Sequence, residues 1–161
     1  RRSSARPHAQ PAERSAVRVS KPQTILFLCT GNSCRSQMAE GWLRAIAGDT
    51  FAARSAGLEA HGKNPAAIEV MREAGVDISG QESTPLTAAM LASADYLVTV
   101  CGHADEHCPG LPAGLEKEHW PIEDPARATG TRDEILLAFR EARDDIHARV
   151  ANLVERLATR G

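Results

Sequence analysis

No stretch of this sequence approaches the roughly 18 consecutive apolar residues that a membrane-spanning helix needs. The apolar block nearest the N-terminus, Ile25 to Cys29, is too short for the core of a secretory leader and lies too deep in the chain to act as one. A cytoplasmic location without membrane contact is the expectation. Internal repeats are also missing. Basic charge is scarce beyond the start of the chain. Arg1, Arg2, Arg6, Arg14, Arg18 and Lys21 stand against Glu13 alone, so the formal net charge of −2 divides into +5 on residues 1–21 and −7 on the remainder. An acidic body of this kind is a poor binder of nucleic acid. It also means that an anionic substrate must be held by local donors, because the global field opposes it.

The composition is sufficient for one core. The chain has 161 residues and 42 % hydrophobic content, which suits one domain and no second complete core. Residues 1–21, rich in Arg, Ser, Ala and Pro and without periodicity, read as a flexible basic extension. Residues 22–161 read as a single domain, expected to be a monomer. The four cysteines, Cys29, Cys34, Cys101 and Cys108, would suggest a disulfide framework in a small secreted protein. In a core-forming cytosolic chain they suggest metal binding or redox catalysis.

From Thr24 the hydrophobic pattern becomes regular. Thr24 to Cys29 is a continuous apolar run, as expected of a buried strand in a parallel sheet. A helix is expected over Ser36–Ala47, with Met38, Trp42, Leu43 and Ile46 on its inner face. Phe51–Ala56 reads as a second strand closed by Gly57. Asn64 and Pro65 form a cap-and-start pair for a helix through Ala74, ended by Gly75. Thr84 and Pro85 are expected to start another helix by the same device. Asp95–Cys101 reads as the third strand, Cys101–Leu115 as a long loop or broken helix, and Lys117–Pro121 as a short fourth strand. Thr131–Thr159 reads as one long helix, with Ile135, Phe139, Ala142, Ile146, Val150, Leu153 and Leu157 on one stripe. Strands alternating with helices predict an α/β three-layer sandwich, a four-stranded parallel sheet flanked by helices. Sites in such sheets lie beyond the carboxyl ends of the strands, where Cys29 and Cys101 would share one edge.

The segment Cys29-Thr30-Gly31-Asn32-Ser33-Cys34-Arg35-Ser36 joins the first strand to the first helix. Backbone N–H groups in such a loop can turn inward as an anion nest, and the following helix directs its positive end to the same point. Gly31 is expected to supply an unusual backbone conformation, and Asn32 tolerates left-handed geometry. Arg35 offers a planar fork that fits two oxygens of a tetrahedral oxyanion. A cysteine at the base of such a nest is well placed as a nucleophile, because converging positive ends favour a thiolate. Ser36 can donate a hydrogen bond to it. Cys101 has two plainer readings: core packing at a strand end, or zinc ligation together with His103, His107 and Cys108, although their spacing does not match the common zinc patterns. Asp124-Pro125 could be an ordinary turn, with Glu123 as a neighbouring carboxylate.

The run from Cys29 through Gly41 resembles the phosphate-binding loop of low-molecular-weight protein tyrosine phosphatases. It resembles still more closely the thioredoxin-coupled arsenate reductases built on that fold. The likeness extends through Ser55–Pro65, Val98–Pro109 and Glu118–Pro125 and covers about residues 23–160. It implies arsenate as substrate and a thiol relay. Cys29 attacks arsenic, Cys101 then forms a disulfide with Cys29 as arsenite leaves, and Cys108 takes over Cys101. Thioredoxin would reduce the final Cys101–Cys108 pair. The resemblance further implies that Asp124 protonates the leaving oxygen and that Cys34 is a structural loop residue. No organic cofactor or catalytic metal is implied. Some members bind potassium at positions matched by Asn32, Glu40 and Ser55, whereas Glu82 and Thr84 depart from the usual Thr and Asp, which leaves the cation site open. The phosphatases usually place aromatic residues after the Asp-Pro pair and a proline after the Arg-Ser pair. This chain has Ala126-Arg127-Ala128 and Gln37 instead, which argues against a phosphotyrosine site but leaves slow aryl phosphate hydrolysis. The competing functions are a tyrosine phosphatase and a non-enzymatic thiolate protein that binds arsenite or zinc.

Overall fold

A computed structural model describes residues 22–160. The expected basic extension, residues 1–21, lies outside them. Four strands, β1 (Gln23–Cys29), β2 (Phe51–Gly57), β3 (Tyr96–Thr99) and β4 (Glu116–His119), form one parallel sheet in the order β2-β1-β3-β4. Helices α1 (Arg35–Ala47), α2 (Pro65–Glu73), α3 (Ala88–Ser93), α4 (Gly102–Glu106) and α5 (Arg132–Ala158) flank it, giving the expected three-layer sandwich. The central strand β1 is the most apolar, and Ile25, Leu26, Phe27 and Leu28 are fully buried. Each such side chain contributes about 1.5–3 kcal/mol on burial, so β1 anchors the sheet and fixes where its last residue, Cys29, emerges.

Helix ends follow local chemistry. Asn64 caps α2, its side chain accepting from Ala66 N, with Pro65 next as expected. Thr131 and Glu134 form a reciprocal capping box at the start of α5. The α5 stripe is as expected from Phe139 to Leu157, but begins with buried Leu136 where Ile135 was expected. On α1 the buried face runs through Met38, Ala39, Leu43 and Ala47; Ile46 is exposed. Trp42 turns its indole N–H to Arg143 O on α5 and packs, partly buried, against the core.

Thr84-Pro85 does not start a helix. Gly57 N donates to Thr84 O and Leu86 N donates to Gly57 O, so this segment runs extended beside the end of β2. The helix begins at Ala88, capped by Thr87. The third strand ends at Thr99, two residues before the expected Cys101, and the expected loop after it opens with α4. No helix among the described residues is long and apolar enough to cross a membrane.

Candidate active site

The carboxyl end of β1 opens directly into the loop Thr30–Cys34, and α1 starts at Arg35. The loop's carbonyls are anchored outward. Leu58, Glu59, His61 and Asn64 donate their N–H groups to the carbonyls of Cys29, Thr30, Gly31 and Ser33 at 2.8–3.0 Å. Gln37 Nε2 donates to Asn32 O at 3.1 Å. With these carbonyls held on the outside, loop N–H groups are left free to turn inward, and Asn32 N donates to Cys29 Sγ at 3.2 Å.

Asn32 is the one non-glycine residue with positive φ among those described, at 50°. Gly31 is not among the glycines with positive φ, so the unusual backbone expected there is not a left-handed one. Its need is steric: a Cβ there would collide with the imidazole of His61. Asn32 is also buried and fully bonded. Its Oδ1 accepts from Thr84 N at 2.8 Å, and its Nδ2 donates to Ser36 Oγ at 2.8 Å and Ser55 Oγ at 3.0 Å. Because Ser36 Oγ accepts from Asn32, its own hydrogen is free for Cys29 Sγ, 2.9 Å away. The nucleophile candidate thus has two hydrogen-bond donors at its sulfur.

Arg35 leans across the loop mouth. Its Nη1 donates to Ile122 O at 2.9 Å and its Nη2 lies 3.7 Å from Asp124 Oδ2, while Nε is buried with no partner. A buried, unpaired guanidinium N–H is costly unless an acceptor arrives, and a bound oxyanion would supply one. Asp124 Oδ1 accepts from Ala126 N at 2.9 Å, inside a 3-10 turn over Pro125–Arg127. Cys34 donates to the same carboxylate at 3.7 Å. Burial, reinforced by the nearby Asp124 carboxylate, pushes the Cys34 thiol up to about 12. It therefore stays protonated beside Asp124.

Cys29, Thr30, Cys34, Arg35, Cys101 and Asp124 all line one cavity of about 660 Å3. Thr30 Oγ1 lies 3.3 Å from Cys101 Sγ, which also accepts from Ala104 N at 3.3 Å in the first turn of α4. Cys108 lies past the far end of α4 and does not line the cavity. Burial raises its pKa above the ordinary thiol value, with Lys117 opposing. The cavity also has walls that the sequence did not single out, namely His61, Ile122 and Arg127. His61 carried one clue, the crowding of Gly31 that only close packing reveals. Among the described residues no three His, Cys, Asp or Glu side chains converge as a metal site, and the His103 and His107 rings stack on each other at 4.2 Å.

The donor set around Asn32, Glu40 and Ser55 does not fit potassium. Glu40 Oε1 accepts from Ser55 Oγ at 2.5 Å, and Oε2 is met by Arg44 Nη2 at 2.5 Å. Asn32 turns its amide nitrogen, not its oxygen, toward Ser55. With Arg44 already on Glu40, a cation there would meet a guanidinium and the Asn32 N–H group beside the Glu40 and Ser55 oxygens.

The family model for low molecular weight phosphotyrosine protein phosphatase matches residues 24–160, nearly all of the described chain. This chain belongs to that family. Within the family its similarity leans to one branch. An arsenate reductase of Halalkalibacterium halodurans is 50 % identical over 133 residues, covering 83 % of this chain and 96 % of the relative. A solved structure described as an arsenate reductase in the phosphate-binding state superposes with a TM-score of 0.70 at 35 % identity, covering 83 % of this chain and 98 % of that one. The thioredoxin-dependent arsenate reductase of Corynebacterium glutamicum superposes with a TM-score of 0.71 at 28 % identity, over 91 % of this chain and 67 % of that one. The matched span takes in the loop, the helix behind it and the Asp124 turn. Cys101 brings a second thiol side chain to the wall of the cavity that holds Cys29.

Proposed function

We propose that this protein reduces arsenate to arsenite by a relay of three thiols, with a dithiol protein such as thioredoxin returning the electrons. The observation that carries the reading is Cys101 lining the same cavity as Cys29, tied to the loop through Thr30. The similarity to arsenate reductases, one of them thioredoxin-dependent, supports the substrate and the donor.

In this reading the loop N–H groups and Arg35 hold arsenate, and the Cys29 thiolate attacks arsenic. Asp124 protonates the departing oxygen, which leaves as water. Cys101 then attacks Cys29 Sγ. The sulfur–sulfur bond forms, the arsenic–sulfur bond breaks, and its electron pair stays on arsenic, which falls from the +5 to the +3 state. Cys108 next attacks Cys101 Sγ and releases Cys29 as thiolate. Reduction of Cys101–Cys108 by the external dithiol closes the cycle at two electrons per arsenate. Transfer to Cys108 requires α4 to open, and a five-residue helix has little stability of its own to oppose this. The same thiolate and acid would hydrolyse small aryl phosphates slowly. No aromatic residue follows Asp124-Pro125 to grip a phosphotyrosine ring.

Arsenate-dependent NADPH consumption with thioredoxin and its reductase tests the reading, with glutathione and glutaredoxin in parallel. Turnover with the thioredoxin system is expected. No turnover with either system, or turnover only with glutaredoxin, would overturn the reading in whole or in its choice of donor.

A further inference from the structure

The loop at Cys29 is not self-supporting, and the bonds behind it converge on one side chain that has no place in the chemistry above. Two chains of hydrogen bonds leave Asn32 and meet again at Arg44. The first begins at the Asn32 amide. Asn32 Nδ2 donates to Ser55 Oγ at 3.0 Å, Ser55 donates to Glu40 Oε1 at 2.5 Å, and Arg44 Nη2 closes on Glu40 Oε2 at 2.5 Å. The second begins at the Asn32 carbonyl. Gln37 Nε2 donates to it at 3.1 Å, Gln81 Nε2 donates to Gln37 Oε1 at 2.7 Å, and Arg44 Nη1 donates to Gln81 Oε1 at 2.6 Å. Every donor in both chains has an acceptor, so the orientations of all three amides are set by the network.

The charges explain why a cation is needed there. The Glu40 side chain is only 12 % exposed, and Ser55 satisfies one of its oxygens without neutralising it. A carboxylate so placed behind the nucleophile would repel a thiolate, and leaving it unpaired in a shielded position is costly. Arg44, half exposed on α1 one turn later, provides the opposite charge and a second prong for Gln81.

We propose that Arg44 is a built-in cation that sets the active-site loop, a positioning residue acting on Cys29 through Asn32 and Ser36. It occupies the role that a bound potassium ion would otherwise fill at Glu40 and Ser55, and so makes this protein indifferent to potassium. Both chains end on the residue with the left-handed backbone, which is the one that needs holding. From Asn32 the path is short: Nδ2 to Ser36 Oγ, and Ser36 to Cys29 Sγ. The inference rests on Cys29 as the nucleophile but not on which oxyanion it attacks.

The test reads Cys29 itself. Reduced protein is alkylated with iodoacetamide near neutral pH, and the Cys29 peptide is quantified by mass spectrometry. Potassium chloride and sodium chloride are compared at equal ionic strength, and substrate is left out, so failure of the arsenate reading leaves this result untouched. The unaltered protein should react at the same rate in both salts. Arg44→Ala in sodium chloride should react about threefold to tenfold more slowly, the range typical of coupling through such a network. Potassium, which can occupy the vacated position at Glu40, should restore most of the rate, and Arg44→Lys should keep most of it in either salt. Thermal unfolding of each variant shows whether it is folded. Potassium stimulation of the unaltered protein would overturn the proposal, as would an unchanged rate in Arg44→Ala. So would a slowed rate that neither potassium nor lysine recovers, the result of a purely structural role.

Discussion

Replacing Asn32 by alanine should destabilise the protein more than most single substitutions. The side chain makes three hydrogen bonds, to Thr84 N, Ser36 Oγ and Ser55 Oγ, at 2.8, 2.8 and 3.0 Å, and the residue is fully buried. At about 0.5–1.5 kcal/mol net each, these amount to about 1.5–4.5 kcal/mol. The backbone adds to this. Asn32 has φ of 50°, a region that costs most residues about 1–2 kcal/mol and asparagine less. A total near 3–5 kcal/mol corresponds to a fall in Tm of about 10–15 °C for a domain of this size. Asn32→Gly separates the two contributions. It loses the same hydrogen bonds but not the backbone fit, so it should be about 1 kcal/mol more stable than Asn32→Ala. Urea unfolding followed by circular dichroism measures all three proteins. An alanine variant within about 0.5 kcal/mol of the unaltered protein, the range of ordinary surface changes, would refute the idea that Asn32 holds the loop. A glycine variant less stable than the alanine one would refute the strain argument.

Arg35→Lys should lose most of the activity although the charge is kept, because an ammonium cannot offer the fork; near-normal turnover would show that the fork is unimportant. With its thiol pushed up to about 12 by burial first and Asp124 second, Cys34 should resist iodoacetamide at pH 8 in the native protein and react after unfolding. Rapid native alkylation at Cys34 would contradict its shielded position. Acid should unfold the protein in a definite window. Arg140, its main cause, holds Glu73 down at about 2, and at Glu118 burial pushes upward but the bonds from Arg156, Trp120 and Tyr96 outweigh it. Carboxyls held low stabilise fully above their unfolded value of 4.5 and lose that contribution as pH falls toward 2, so the urea midpoint should drop steadily across that interval. A midpoint that is flat from pH 5 to 2.5 would contradict these pairings.

The parts of the structure that could be read from the sequence are those set by local rules. A continuous apolar run ending in cysteine at a Gly-Asn turn identified β1 and its loop, because a buried strand needs apolar residues on both faces. Asn64-Pro65 announced α2 because the cap and the proline act on adjacent residues. Thr84-Pro85 has the same local signature and misleads, because Gly57 and Asn32 take up its backbone groups from 27 and 52 residues away. The same distance hid Arg44. Glu40 is one turn away on α1 and reads as an ordinary surface ion pair, whereas Gln81, which ties Arg44 into the network, lies 37 residues on. Cys29 was legible because it ends β1, and Cys101 because it follows β3 by two residues on the same edge of the sheet. Arg35's unpaired Nε, the feature that points most directly to an anion, exists only in the folded arrangement.

The most direct test of the relay is to map disulfides after a single turnover. Reduced Cys108→Ser protein is mixed with one equivalent of arsenate, quenched in acid, alkylated and digested, and arsenite is measured alongside. The relay predicts a Cys29–Cys101 disulfide and one arsenite per chain. In the unaltered protein the bond should instead be Cys101–Cys108, with Cys29 free. A Cys29–Cys34 bond, a disulfide between two chains, or arsenite released with Cys101 still alkylatable would contradict it.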